Sequence, residues 1–231
     1  LPSKTSNTIQ IKIKSNKIIL EHYNTIDKQG MAEFKDRGSK FLAYVFPCEA
    51  AAVFKIKMLE IKKEHPKAVH CCFAYKMGTD GNNYRSSDDG EPSGTAGKPI
   101  LRQIESKNLT DICIIVVRYF GGTLLGVSGL INAYKTSASL ALQIVPVITK
   151  PILKFYQLQF GYPNLNDIML AIKQLNGIIQ QSETQLFCKM LVGIPLNRVA
   201  EFDRRMENAS NVEIVELLQE VVKKARVNPN L

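Results

Sequence analysis

With 231 residues and 45% hydrophobic side chains, the chain is long enough to bury one large core or two ordinary ones, which argues against disorder as its default state. Its richest apolar run, Ile112 to Val117, is strand length and far short of the roughly 20 residues a membrane helix requires, so no membrane partner is expected. The formal charge of +9 is uneven: residues 1–150 carry 21 Lys and Arg against 13 Asp and Glu, while residues 151–231 carry 9 against 8. That is the pattern of a polyanion-binding half beside a near-neutral one, or of a surface charged for solubility.

Residues 1–20 contain Lys4, Lys12, Lys14 and Lys17 and no acid, with Ile9, Ile11 and Ile13 alternating against polar neighbours. They read as an extension, either a strand or a frayed arm. The opening Leu1-Pro2-Ser3-Lys4 lacks the basic-then-apolar layout of a secretory signal. Five cysteines without paired C-x-x-C spacing indicate neither a disulfide framework nor a zinc site, and a cytoplasmic location is the expectation. Strand-like runs Met31 to Lys35 and Lys40 to Phe46 flank Asp36-Arg37-Gly38-Ser39, whose composition suits a hairpin turn. Residues 49–65 read as a helix, with Ala51, Phe54, Met58 and Ile61 at helical spacing and Pro66 as the stop.

Ala68 to Lys76 is apolar enough for a strand buried on both faces, with Cys71 and Cys72 pointing to opposite sides. The composition then changes to a long polar stretch through Gly97, which reads as a loop. Loops of that length in compact domains are commonly functional. A helix from about Pro99 to Ser106, a strand from Asp111 to Tyr119, a turn at Phe120-Gly121-Gly122 and a helix from about Gly129 to Gln143 follow. Leu130, Ala133, Tyr134, Ser137, Leu140 and Ala141 form the buried stripe of that helix. Beyond Pro146 and Pro151 the order is strand Leu153–Phe160, helix Asn164–Asn176, strands Ile178–Gln185 and Leu186–Ile194, helix Asn197–Asn208 and strand Val212–Glu216. This βαββαβ order describes a ferredoxin-like sandwich, with Gly177 as the stop signal of its first helix.

Three constellations carry candidate chemistry. Arg118-Tyr119-Phe120-Gly121-Gly122 leads through Gly126 and Gly129 into a helix. Such a turn can seat a phosphate at free N–H groups, with Arg118 adding a bidentate contact. It matches neither a Walker loop nor the dinucleotide fingerprint. The plain alternative is a tight turn with Arg118 paired to an acidic neighbour. Asp88, Asp89 and Glu91 lie within four positions, ahead of Ser93, Thr95 and Lys98. Close carboxylates can bind a hard cation or supply an acid/base pair, or they can cap the following helix. No calcium-loop spacing is present, and neither a metal nor a cofactor is expected. His70 reads as a buried, hydrogen-bonded histidine, with the acidic loop as its other destination.

Four stretches, Phe34-Lys35-Asp36-Arg37-Gly38-Ser39-Lys40-Phe41, His70 to Tyr75, Ser87 to Gly97, and Val117-Arg118-Tyr119-Phe120-Gly121-Gly122, together resemble the IMPACT/YigZ family in its bacterial two-domain form. The resemblance covers residues 20–145 most strongly. It implies an α+β protein with an extension at 1–20, a domain at 21–148 resembling domain 2 of ribosomal protein S5, and a ferredoxin-like domain at 149–231. Both kinships imply RNA.

The leading expectation is a non-enzymatic RNA- or ribosome-binding protein that regulates translation. Arg37, Lys40, Lys98 and Arg118 would contact phosphate, and Ser39, Tyr119, Gly121, Gly122, Gly126 and Gly129 would shape the seat. One alternative is an adaptor for a translation-factor or stress-factor protein partner. The other is a metal-assisted enzyme acting on a nucleotide or other phosphorylated small molecule, using Asp88, Asp89, Glu91 and His70.

Overall fold

The computed structural model describes residues 20–218; the predicted extension, apart from Leu20, lies outside the described residues. A five-stranded sheet is built from β2 (Gly30–Asp36), β3 (Ser39–Pro47), β4 (His70–Met77), β5 (Asn83–Ser87) and β6 (Ile112–Tyr119) in the order β2-β3-β6-β4-β5. The most apolar strand of the sequence, β6, is central and buried along nearly its whole length. It pairs antiparallel with β3 and with β4. Side chains alternate across the sheet. Phe41, Ala43, Cys72, Ala74, Ile114 and Val116 face α2 (Gly97–Ser106) and α3 (Gly126–Gln143). Leu42, Phe46, Cys71, Phe73, Cys113 and Val117 pack on the other side with Phe54 and Ile61 of α1 (Ala51–Glu64). Cys71 and Cys72 therefore enter different cores, and all five cysteines are free and buried.

The second main sheet has the order β11-β8-β10-β9, formed by β8 (Leu153–Phe160), β9 (Ile178–Thr184), β10 (Cys188–Pro195) and β11 (Val212–Leu217). Helices α4 (Leu165–Gln174) and α5 (Val199–Glu207) complete the predicted βαββαβ order. Tyr156, Leu158, Phe160, Met190, Val192 and Ile194 meet Ile168, Ile172, Phe202 and Met206 in its core. The C-terminal stop of α4 differs in detail from the expectation. Asn176 takes the left-handed conformation at φ +54, and Gly177 donates its N–H to the carbonyl of Ile172 at 2.8 Å. A Cβ on Gly177 would meet Ile194 at 2.8 Å, so close packing is the reason for glycine there.

Three strands lie where the sequence signals none. The sequence reads 83–87 as loop because Asn83-Tyr84-Arg85-Ser86-Ser87 lacks apolar alternation; yet it forms edge strand β5 against β4, where one side of the backbone ladder suffices. The second and third, β1 (His22–Ile26) and β7 (Val147–Pro151), pair antiparallel in a two-stranded ribbon, and β7 crosses the expected boundary between 148 and 149. Helix α3 begins at Gly126, three residues before the expected Gly129, and α2 at Gly97 rather than Pro99.

Candidate functional site

The four motifs meet at one end of the five-stranded sheet. The register places Phe41 and His70 on either side of Arg118, so all three side chains start on the α2/α3 face. The loop between β2 and β3 is the two-residue turn Arg37-Gly38, with φ of +43 and +78, the positive values a type I′ hairpin demands at both central positions. A second tight turn, Asp88-Asp89-Gly90-Glu91, has φ of +43 and +89 at its centre and is closed by the Glu91 N–H on the Asp88 carbonyl at 2.9 Å. This reversal turns Glu91 inward.

Glu91 and Arg118 form a buried ion pair, Nη1 to Oε1 at 2.6 Å, with side chains only 3% and 6% exposed. The phenol of Tyr134, on α3, donates to the same carboxylate oxygen at 2.7 Å, and the Cys72 thiol lies 3.3 Å from that phenol. Burial pushes both the Tyr134 phenol and the Cys72 thiol well above their usual ranges, so both remain protonated donors. Arg118 lies near the rings of Phe41 and Phe120, at 5.5 Å and 5.7 Å, which favours a desolvated cation. His70 Nδ1 lies 2.8 Å from the Asp89 carbonyl, and its Nε2 lies 3.9 Å from Glu91. The imidazole is half-buried and reaches the acidic loop, the second of its two anticipated destinations.

The carboxylates that adjoin in sequence diverge in space. Asp88 accepts the N–H groups of Gly94, Ala96 and Gly97 at 2.8, 3.0 and 2.8 Å, capping α2 from a distance. Partial burial pushes its carboxyl up, but the N–H groups of Gly94, Gly97 and Ala96 and the Lys98 charge outweigh this and hold it below the ordinary range. Asp89 accepts the Cys71 N–H at 2.7 Å and faces Lys62 at 3.5 Å. Among the described residues no three His, Cys, Asp or Glu side chains converge as a metal would require.

Two turns are stitched together by Ser39, which is fully buried. Its Oγ accepts the Gly121 N–H at 3.2 Å and an Arg118 Nη2–H at 3.4 Å. A Cβ on Gly121 would lie 1.9 Å from the carbonyl carbon of Gly38, so only glycine lets these turns stand back to back. Arg118 is thus occupied with Glu91, the acidic pairing that the sequence left as the plain alternative. Arg37 and Lys98 are exposed and make no ion pair among the described residues. Lys40 pairs with Glu33 at 2.9 Å. Tyr119 points to the opposite face, where its phenol meets His65 Nδ1 at 2.8 Å while Tyr44 meets Nε2 at 2.6 Å. Gly122 and Gly126 have open space where a Cβ would stand, while Gly129 sits against Leu125 at 3.0 Å. Sequence reasoning assigns Tyr134 to the packing stripe of α3; its spacing is that of a core residue, and only its hydroxyl could have marked it for the polar network.

A sheet end where four motifs interlock defines a domain type, and the model of the Impact N-terminal domain matches residues 37–142. The chain is 38% identical over 178 residues to IMPACT family member YigZ of Escherichia coli, covering 76% of this chain and 86% of that one. It is 32% identical over 163 residues to IMPACT family member YvyE of Bacillus subtilis, covering 71% and 75%. A solved crystal structure of a hypothetical protein superposes with a TM-score of 0.68 at 31% identity, over 87% of this chain and all of the other. The chain belongs to the IMPACT family.

Proposed function

We propose that this protein is a non-enzymatic RNA- or ribosome-binding protein that regulates translation. The observation that carries the reading is the fate of the polar side chains at the sheet end. Glu91, Asp88, Asp89 and Ser39 are engaged within the fold, while Arg37 and Lys98 remain on the surface. Their role is to contact phosphate, and the buried Glu91–Arg118 pair holds in place the turns that present them. The glycine turn after Tyr119 offers its backbone as a phosphate seat.

Two features of architecture support the same reading. The order βαββαβ with strands β11-β8-β10-β9 is that of a ferredoxin-like domain. We read the larger sheet with its three helices as the counterpart of domain 2 of ribosomal protein S5. Fold kinship alone leaves function open, so charge decides between readings: the net positive half is the half that carries the IMPACT motifs.

The test is binding of the intact protein to purified ribosomes and to a structured RNA across a salt series. Affinity that falls steeply with salt is expected, because phosphate contacts release counterions. Salt-insensitive binding, or none at low salt, contradicts the proposal.

A further inference from the structure

Lysines that sink partway into this fold take a carboxylate partner, with one exception. The half-buried lysines among the described residues are Lys40, Lys57, Lys76, Lys150 and Lys154. Lys40 pairs with Glu33 at 2.9 Å, Lys57 with Glu60 at 2.8 Å, Lys150 with Glu49 at 3.7 Å and Lys154 with Glu216 at 2.7 Å. Lys76, near the end of β4, makes no ion pair among the described residues. Partial removal of an ammonium group from water without a counter-charge is unfavourable, so this position suits an anion supplied from outside the chain.

Lys76 lines a cleft of about 390 Å³ at the opposite end of β4 from His70, roughly 20 Å along the strand. Four segments enclose it: β1, the loop after β4, the connection from α2 to β6, and β7. Hydrogen bonds fix these segments to one another. The Thr110 N–H donates to the Asn24 carbonyl at 3.0 Å, the Thr149 hydroxyl to Asn24 Oδ1 at 3.0 Å, and the Thr110 hydroxyl to the Gly78 carbonyl. The acidic side chains nearest in sequence are turned to backbone N–H groups, Asp111 to that of Gly78 at 2.7 Å and Asp80 to that of Asn82 at 3.3 Å. Among the described residues that line the cleft, none is Asp or Glu. Its wall is instead rich in donors: the Lys76 ammonium, the Thr79 hydroxyl and the amides of Asn24 and Asn108. With its Oδ1 taken by Thr149, Asn24 keeps its NH2 group to donate.

We infer that this cleft binds a phosphate monoester, the group carried by a mononucleotide or by the phosphorylated end of a strand. Near neutral pH a monoester bears about 1.5–2 negative charges on acceptor oxygens, which matches one lysine set among several neutral donors. A carboxylate has a single charge and fewer oxygens, and would leave donors unmet. The volume lies in the lower range of small-molecule sites, with room for the organic body of the ester beside its phosphate. The cleft stands apart from the Glu91–Arg118 network and the glycine turn, and the inference does not depend on the RNA-binding reading.

The experiment titrates the isotope-labelled full chain with AMP, followed by heteronuclear NMR, with adenosine as the reference. AMP is expected to shift the amide signals of Gly78, Thr79, Asn108 and Thr110 saturably, and adenosine to leave them in place. Lys76→Met keeps the length of the side chain and removes its charge; it is expected to weaken AMP binding by about fivefold or more, while Lys76→Arg retains most of the affinity. Lys135→Met removes the same charge from an exposed position on α3 and is expected to leave binding unchanged. Circular dichroism confirms that each variant is folded. Two short oligoribonucleotides of one sequence, with and without a 5′-phosphate, identify the source of the ester: binding of the phosphorylated one marks a strand end, and binding of AMP alone marks a free nucleotide. Absence of saturable shifts at millimolar AMP, equal binding of adenosine, or a loss with Lys135→Met equal to that with Lys76→Met would overturn the inference.

Discussion

Replacing Glu91 by Ala should destabilise the protein far more than its single ion pair suggests. At 2.6 Å and an effective dielectric constant near 20, the attraction between Arg118 and Glu91 is roughly 6 kcal/mol, much of it offset by the desolvation of both ions. Removing Glu91 eliminates the attraction and leaves the Arg118 desolvation cost, because that side chain is only 6% exposed and its Nε is buried without a hydrogen-bond partner. Tyr134 loses its acceptor as well. A loss of about 3–5 kcal/mol follows, which for a chain of this length lowers Tm by roughly 6–20 °C. The companion double substitution Glu91→Leu/Arg118→Met removes both charges and should recover most of the loss. Thermal and urea unfolding of the parent and the two variants provide the assay. A Glu91→Ala variant within about 1 kcal/mol of the parent would refute the reasoning, since Arg118 would then be reaching water or another partner.

Other expectations come from the turns and the thiols. Gly121→Ala places a Cβ 1.9 Å from backbone and should cost at least about 1–3 kcal/mol in denaturant unfolding. Gly122→Ala meets open space at φ +85 and should lose only about 1–2 kcal/mol from the left-handed backbone. Asp88→Asn should destabilise the protein by roughly 1–3 kcal/mol near neutral pH. Because the Asp88 pKa is lowered in the folded state, its stabilising contribution is present above the unfolded value of about 3.9 and fades as pH falls through the lower folded value. The gap between parent and Asp88→Asn should therefore close in acid, as urea midpoints across pH would reveal. Burial pushes the Cys48 thiol up to about 12 and holds those of Cys72 and Cys113 well above the ordinary thiol range. A thiol reagent near neutral pH should thus label these three at the rate of unfolding, and fast labelling of the native chain would contradict their burial.

Much of the architecture is legible from periodicity because the strands and helices that build the cores carry it. The run Ile112 to Val117 declares a central strand, and Leu165, Ile168 and Ile172 declare the inner face of α4. Strand β5 is hidden because its pairing with β4 is a backbone matter and its side chains are polar. The ribbon of β1 and β7 joins segments more than a hundred residues apart, a proximity that no local pattern encodes. At the site, the sequence singles out Arg118, Glu91 and His70, which the fold brings together, but does not decide their partners. Whether Arg118 reaches outward to a ligand or inward to Glu91 depends on the turn at Asp89-Gly90, whose two positive φ values redirect the chain. The three neighbouring carboxylates read as a cluster, yet that turn and the capping of α2 by Asp88 separate them. Tyr134 is hidden for the opposite reason: its helical spacing marks it as core, which it is, while its hydroxyl joins the polar network.

The central claim is that a buried network holds exposed cations ready for phosphate, and the salt dependence of RNA binding by the parent and by Arg37→Ala/Lys98→Ala tests it most directly. Each phosphate contact contributes about 0.7–0.9 to the slope of log affinity against log salt. The double substitution should therefore flatten the slope by roughly 1.4–1.8 while leaving Tm unchanged. Identical slopes for the two proteins would contradict the claim, because the cations left on the surface would then not be the ones that meet RNA.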